Sequence, residues 1–238
     1  MREFKKEYIV GAGETDCKNE CRPSALLNFM QDAATTHAGI IGLSRDTLVL
    51  QNGAIWILTR CKYELSRPIA AFETIGIETW HRGLRGAMWY RDFSITAGGV
   101  EIGRAINAWV LADVTTHRAM RPTGMEEIDA KSANPDRALQ IMLKKLQTGA
   151  ELSKIMTKRV NYSDLDVNCH INNAKYGDLV CDAIHLEHGG FIREMQINYL
   201  AECRVGEEIE LFASDDRTFV RGIGSDGDAR FEAKISLT

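Results

Sequence analysis

The chain repeats one pattern of elements, and that repetition limits its folds more than any other feature of its 238 residues. Residues 4–16 read as a strand. Arg22 to Gly42 reads as a helix, with Leu26, Leu27, Met30, Ala33, Ala34 and Ala38 at three- and four-residue spacing and Pro23 near its start. Strand-like runs follow near 54–65, 72–81, 87–97 and 100–113, punctuated by Pro68, Gly83, Gly86 and Gly98-Gly99. From 153 the order restarts, with a strand over 154–162, a helix from His170 to Leu186, and runs near 191–203, 206–214, 217–224 and 228–237. A shift of 150 residues lays Asp16 on Asp166, Asp32 on Asp182 and Ala33 on Ala183. Each copy joins one helix to an antiparallel meander, so the class is α+β. Pairing two such copies covers sheet edges that would otherwise template aggregation.

The spacing divides the chain into a first unit over 1–133, a linker over 134–152 and a second unit over 153–238. The linker carries Pro135 and then Arg137 to Leu146, where Leu139, Met142, Leu143 and Leu146 predict a short helix with one apolar face. With 45% hydrophobic residues the chain can bury a large core, yet it has no apolar run near the roughly 20 residues that cross a bilayer. No membrane insertion is expected. The start, Met1 to Glu7, resembles neither a signal peptide nor a transit peptide, which makes a cytoplasmic protein the expectation. The six cysteines form no C-x-x-C pair and no zinc-like block, so they read as reduced thiols and no metal is expected. A net charge of -4 with dispersed basic residues argues against nucleic acid as a partner.

Chemistry concentrates at the start of the second helix pattern. In an extended segment alternate side chains share a face, so Asp166, Asn168 and His170 are expected to point the same way. An imidazole that titrates near neutrality, flanked by an amide and a carboxylate, is a layout for positioning a water or holding a tautomer. The helix expected to begin near His170 would offer free amides to a developing oxyanion. In the first copy the same positions hold Lys18 and Glu20, so only the second carries this set. His37, His81, His117, His185 and His188 read as surface or packing residues, because nothing of acidic or metal-binding character accompanies them in sequence.

The run Leu165-Asp166-Val167-Asn168-Cys169-His170-Ile171-Asn172-Asn173-Ala174-Lys175-Tyr176 resembles the L-D-V-N-x-H-V-N-N-x-K-Y segment of the acyl-acyl carrier protein thioesterases of plant plastids and bacteria. Tyr199-Leu200-Ala201-Glu202-Cys203 resembles that family's Y-x-x-E-C, and Glu202 stands 32 positions after His170. Thr79-Trp80, Tyr90-Arg91-Asp92-Phe93, Trp109 to Asp113 and Arg121-Pro122 resemble landmarks of its first half. The resemblance implies a double hotdog, two tandem units each with a long helix wrapped by an antiparallel sheet. It implies hydrolysis of fatty acyl-acyl carrier protein to free fatty acid, with no cofactor and no metal.

By the same resemblance the catalytic set is Asp166, Asn168, His170 and Glu202, with Glu202 or Asp166 as the base. An older reading of the family makes a cysteine the nucleophile, here Cys203. Adjacent strand residues face opposite ways, which favours Glu202 over Cys203 as the partner of His170. The family's acyl slot suggests Leu27, Met30, Ala34, Trp56 and Trp89 as lining residues of the first unit. Lys158, Arg159, Arg60 and Lys62 are candidates for meeting an acidic carrier protein, and a homodimer is compatible with the chain. An acyl-coenzyme A thioesterase and a non-catalytic acyl-binding protein of the same fold are the alternatives.

Overall fold

The computed structural model of the protein describes residues 2–121 and 125–238. Pro122 of the Arg121-Pro122 landmark lies outside the described residues. The chain forms two compact units that interleave along the sequence. One comprises Met1–Ile9, Phe29–Cys61 and Thr74–Leu143, the other Val10–Asn28, Lys62–Glu73 and Lys144–Thr238.

The first unit is built on β1 (Glu3–Ile9), β2 (Ala54–Leu65, to Cys61 in this unit), β3 (Thr74–Arg85), β4 (Met88–Ala97) and β5 (Val100–Asp113), in the order β1-β3-β4-β5-β2. The β1–β3, β3–β4 and β4–β5 pairs are antiparallel. Helix α1 (Pro23–Ile40) enters this unit at Phe29, which stacks on Tyr8 with ring centroids 4.7 Å apart. One turn on, Asp32 Oδ2 accepts from Lys6 Nζ at 2.7 Å and Tyr8 Oη at 2.5 Å, tying the helix to β1. The strand expected over 4–16 stops at Ile9, where the chain turns into a 3-10 segment, Ala12–Glu14.

Helix α2 (Arg45–Asn52) was not read from periodicity because Leu48 is its sole buried residue. Its boundary signals were in the sequence nonetheless. Ser44 Oγ accepts from Thr47 N–H at 3.1 Å, and Gly53 closes the helix at φ 59°.

Alternation along β4 and β5 decides what each face meets. Tyr90, Ile106 and Ala108 pack with Leu139 and Leu143, while Trp89 faces a cluster of Leu43, Leu48, Ala54, Leu111 and Met125. The helix expected over Arg137 to Leu146 does not form; that stretch is irregular, bending at 138–140, and the short helix is α3 (Glu126–Ser132). A spacing of four satisfies a period of 3.6 and a period of 2 alike, so Leu139 and Leu143 did not discriminate. The backbone of the segment is satisfied by side chains instead. Arg82 donates to Leu139 O (2.6 Å) and Ile141 O (2.9 Å), Arg60 donates to Leu143 O (3.0 Å), and Asp92 Oδ1 accepts from Ala138 N–H (3.2 Å).

The second unit holds β6 (Leu152–Arg159), β7 (Ile192–Tyr199), β8 (Glu208–Ser214), β9 (Phe219–Gly224) and β10 (Ala229–Leu237), in the order β7-β10-β9-β8-β6. This is the permutation of the first unit read from the other end, which is the repeat seen in the sequence. Helix α4 (Lys175–Ala183) is shorter than the expected His170 to Leu186, and His185, in the left-handed region at φ 51°, ends its run. The first turns of α1, which belong to this unit, pack on α4 at Gly177. A Cβ there would stand 3.1 Å from Ser24 N and 3.2 Å from Leu27 Cδ1, so the approach requires glycine or a shift of backbone. Among the described residues no helix is long and apolar enough to cross a membrane.

Candidate active site

After β6 the chain makes two turns in succession. In the 3-10 turn Tyr162–Asp164, Asn161 N–H donates to Asp164 Oδ2 at 2.8 Å while the Asn161 side chain accepts from Asp164 N–H. Lys158 Nζ lies 3.1 Å from the same carboxylate oxygen. Leu165 and Ile171 then bridge each other, and the five residues between them fold into a tight turn. Asp166 N–H donates to His170 O at 2.8 Å, Cys169 N–H donates to Asp166 O at 3.0 Å, and Cys169 sits at φ 62°.

The extended run expected for Asp166, Asn168 and His170 is therefore corrected: the period-2 argument does not apply to them. Asp166 is the cause. Its Oδ1 accepts from the N–H groups of Asn168 (2.8 Å) and His170 (3.5 Å), and its Oδ2 from Asn168 Nδ2 (3.3 Å). A carboxylate that bonds the backbone two residues on bends the chain in this way.

The turn is held against the segment that follows β7. Ile171 N–H donates to Cys203 O at 2.9 Å, and His170 bridges Arg204 through the backbone. This brings His170 Nε2 to 3.1 Å from Glu202 Oε2, with the imidazole largely shielded (13% exposed) and the carboxylate open (38%). Glu202 lies beyond the end of β7 at Tyr199, so it is not the strand residue that the sequence argument assumed. Cys203 is wholly buried, its sulfur accepts from Tyr176 Oη at 3.4 Å, and burial pushes its thiol pKa up. Tyr176 itself stands edge-on to Tyr199 and Phe231, at 5.4 and 5.0 Å between centroids. That aromatic base under the site was not singled out from sequence, although Tyr176 closes the motif.

Helix α4 begins at Lys175, five residues after His170, so the expected helix start at His170 is also corrected. Asn172 occupies the interval: its Oδ1 accepts from Ala174 N–H at 2.9 Å, and Lys175 N–H donates to Asn172 O at 2.8 Å. Asn173 O accepts from Tyr199 Oη at 3.1 Å.

The second unit contains this turn twice. Asp16 Oδ1 accepts from the N–H groups of Lys18 (2.8 Å) and Glu20 (3.1 Å), Asp16 N–H donates to Glu20 O (2.8 Å), Thr15 bridges Cys21, and Asn19 sits at φ 59°. Even the 3-10 turns preceding the two, Ala12–Glu14 and Tyr162–Asp164, stand 150 residues apart. Cys21 N–H donates to Ile69 O as Ile171 N–H does to Cys203 O, and Glu20 bridges Ala70 as His170 bridges Arg204. By that pairing Pro68 occupies the place of Glu202. The first copy thus keeps the turn and the aspartate, replaces the histidine by Glu20 and the glutamate by Pro68, and closes on itself with Lys18 Nζ 3.2 Å from Glu20 Oε2.

Other sequence candidates are placed as follows. Trp56 and Trp89 come together edge to face at 5.3 Å, Met30 and Ala34 are buried on α1, and Leu27 lies in the portion of α1 that belongs to the second unit. Lys62 pairs with Glu64 (2.6 Å) and Glu194 (3.1 Å), Lys158 with Asp164, and Arg60 serves the irregular segment, which leaves Arg159 as an exposed cation of that group. Four histidines taken as unaccompanied have polar partners: His81 Nε2 is 2.5 Å from Asp129 Oδ1, His37 Nδ1 is 2.8 Å from Arg91 Nη1, and His185 Nδ1 and His188 Nε2 are 3.3 and 3.7 Å from Glu187 Oε1. A cleft of about 400 Å³ in the second unit is walled by Asp16, Lys158, Asp164, Asp178 and Asp182 rather than by His170 and Glu202.

Comparison with known proteins covers both halves. The sequence profile of the acyl-ACP thioesterase N-terminal domain matches residues 1–128, and that of the acyl-ACP thioesterase C-terminal domain matches residues 147–232. The chain is 25% identical over 234 residues to oleoyl-acyl carrier protein thioesterase 2, chloroplastic, of Arabidopsis thaliana, covering 90% of this chain and 63% of the relative. It is 23% identical over 223 residues to palmitoyl-acyl carrier protein thioesterase, chloroplastic, of the same plant, covering 84% and 52%. The chain therefore spans between half and two thirds of the length of these relatives. Among solved structures, an acyl-ACP thioesterase from Bacteroides thetaiotaomicron superposes with a TM-score of 0.86 at 20% identity, covering 100% of this chain and 98% of that one. The 12:0-ACP thioesterase from Umbellularia californica gives 0.82 at 20% identity with the same coverage. These two likenesses establish the α+β double hotdog fold.

Proposed function

The chain belongs to the acyl-ACP thioesterase family, and we propose from that premise that it hydrolyses the thioester of a fatty acyl group on acyl carrier protein, releasing the free fatty acid. The observation that carries the reading is the His170–Glu202 pair, 3.1 Å apart, with His170 on a turn shaped by Asp166. Glu202 takes a proton from water while His170 orients the carboxylate and the water. The hydroxide adds to the thioester carbonyl. Collapse of the tetrahedral intermediate breaks the C–S bond, and the proton passes to the departing thiolate of the carrier arm. Asn168, exposed on the turn and tied to Asp166, is the side chain we assign to holding the water or the carbonyl oxygen.

Two features support Glu202 over its rivals. Asp166 already accepts three hydrogen bonds within the turn, which suits it to shape rather than to proton transfer. Cys203 is a buried neutral thiol, whereas attack on a carbonyl requires a thiolate. Met30, Ala34, Trp56 and Trp89 remain our candidates for contact with the acyl chain, supported by their place in the interior or on the Trp pair of the first unit.

The test is release of free thiol from acyl carrier protein thioesters by the native chain and by Glu202→Gln. The expected loss is about 10² to 10⁴ in rate, the usual range for a general base, with the unfolding midpoint held. Unchanged turnover removes Glu202 from the mechanism. Matching coenzyme A thioesters, assayed in parallel, decide the carrier: faster turnover on the protein-bound series supports acyl carrier protein as the partner.

A further inference from the structure

One face of the first unit's sheet carries polar groups that the reaction above does not use. Trp89 on β4 stands directly opposite Trp109 on β5, and Arg91 stands opposite both Asn107 on β5 and His81 on β3. Alternation sets Trp89 and Arg91 on one face, and the other face is the one closed by the irregular segment 138–143. Arg91 Nη1 lies 2.8 Å from His37 Nδ1 and 3.3 Å from Thr79 Oγ1, and both partners are fully buried. An arginine can only donate, so His37 Nδ1 accepts and neither partner brings negative charge.

Among the described residues no carboxylate lies within ion-pair distance of Arg91. Asp92, its neighbour in sequence, points to the opposite face and is held by Arg82, and Asp129 is engaged by His81. Burial lowers the Arg91 pKa to about 10, which still leaves the guanidinium charged at neutral pH. On the same face, at adjoining cross-strand positions, Trp89 Nε1, Trp109 Nε1 and Asn107 Oδ1 are buried with no hydrogen-bond partner among the described residues. Trp89 is 3% exposed and Asn107 4%. Buried polar atoms in a folded protein are almost always satisfied, so two orphaned indole N–H donors on one cross-strand pair, on the same face as a buried cation without a carboxylate partner, are the signature of a site for a ligand that accepts hydrogen bonds.

We infer that the first unit binds a carboxylate carried on an apolar chain, with Arg91, Trp89 and Trp109 as its donors. Two indole N–H groups and a guanidinium call for an acceptor with negative charge, which a carboxylate supplies and a hydroxyl does not. The walls around Trp89 are Leu43, Leu48, Ala54, Leu111 and Met125, which suit an aliphatic chain and not a small inorganic anion. The source of the carboxylate, a released fatty acid or the far end of an acyl group oxidised at its terminal carbon, rests on the proposed function; the carboxylate site itself does not.

Calorimetric titration of the native chain with decanoate and with decanol, alongside Trp109→Phe and Arg91→Met, tests the inference. Decanoate is expected to bind about tenfold tighter than decanol, in keeping with charge-assisted hydrogen bonds. That preference is expected to vanish in Arg91→Met and to shrink several-fold in Trp109→Phe, which keeps an aromatic side chain but has no N–H to donate. Equal binding of the two ligands, or an undiminished preference in Trp109→Phe, overturns the inference even if Arg91→Met fails to fold. Binding of neither ligand overturns it as well. Two further measurements separate the sources: inhibition of thiol release by decanoate marks the product, and faster release from a carrier loaded with a terminal dicarboxylic acyl group than from its methyl-ended counterpart marks the substrate. Thiol release from the plain acyl carrier protein thioester by the native chain stands apart from all of these, so a failure of the proposed function is distinguishable from a failure of the carboxylate site.

Discussion

At Cys203 the local environment and the neighbouring chemistry act in the same direction. The sulfur is buried, it accepts a hydrogen bond from Tyr176, and its thiol pKa is raised, so at neutral pH it packs as a small apolar group. Replacing Cys203 by Ala is therefore expected to leave thiol release within about threefold of the native rate, whereas a lost nucleophile lowers k by several powers of ten; steady-state assay of the purified variant decides. Iodoacetamide should label Cys17 and Cys169, both exposed, well before Cys203. That His170 and Glu202 belong together was legible in the sequence because each sits in a distinctive string. Their geometry was not. The turn depends on Asp166 accepting from backbone N–H groups and on Cys169 adopting a left-handed φ, and neither event leaves a trace in apolar periodicity.

Strand limits were legible to within a few residues, since β2 to β5 and β7 to β10 are bounded by glycines, prolines and polar turns. The connection after α3 was not, because what holds it lies far away in sequence. Arg82, left out of the β3–β4 register between His81 and Gly83, turns its guanidinium to Asp92 and to the carbonyl groups of Leu139 and Ile141. A chain segment whose backbone is satisfied by the side chains of Arg82, Asp92 and Arg60 has no need of helical hydrogen bonds. Removing the cation would strand Asp92, whose side chain is fully buried. Arg82→Met is accordingly expected to cost about 3 to 5 kcal/mol, read as a lower urea midpoint, and to expose residues 137–143 to proteolysis before the rest of the first unit. An intact midpoint would mean that Leu139 and Leu143 hold the segment through apolar packing alone.

For the molecule as a whole, the repeat was the most legible property and the acid response the least. His81 is buried, and burial first, then the nearby Arg91 charge, holds its pKa below the ordinary 6.5 against the opposing pull of Asp129. The unfolded chain therefore binds a proton more readily than the folded one, so the His81 contribution to stability is complete above pH about 6.5 and is lost as pH falls through the folded value. Urea midpoints measured from pH 7 down to pH 5 are expected to fall less steeply in His81→Asn than in the native chain; parallel slopes would assign the acid sensitivity elsewhere. The paired turns of the second unit bear on inheritance. An aspartate and one left-handed residue specify the bend in both copies, while the positions that differ, Lys18 against Asn168 and Glu20 against His170, do not disturb it. Backbone form and reactive side chains are thus written in separate letters, which lets one copy lose its chemistry, or another change it, without either forgetting how to fold.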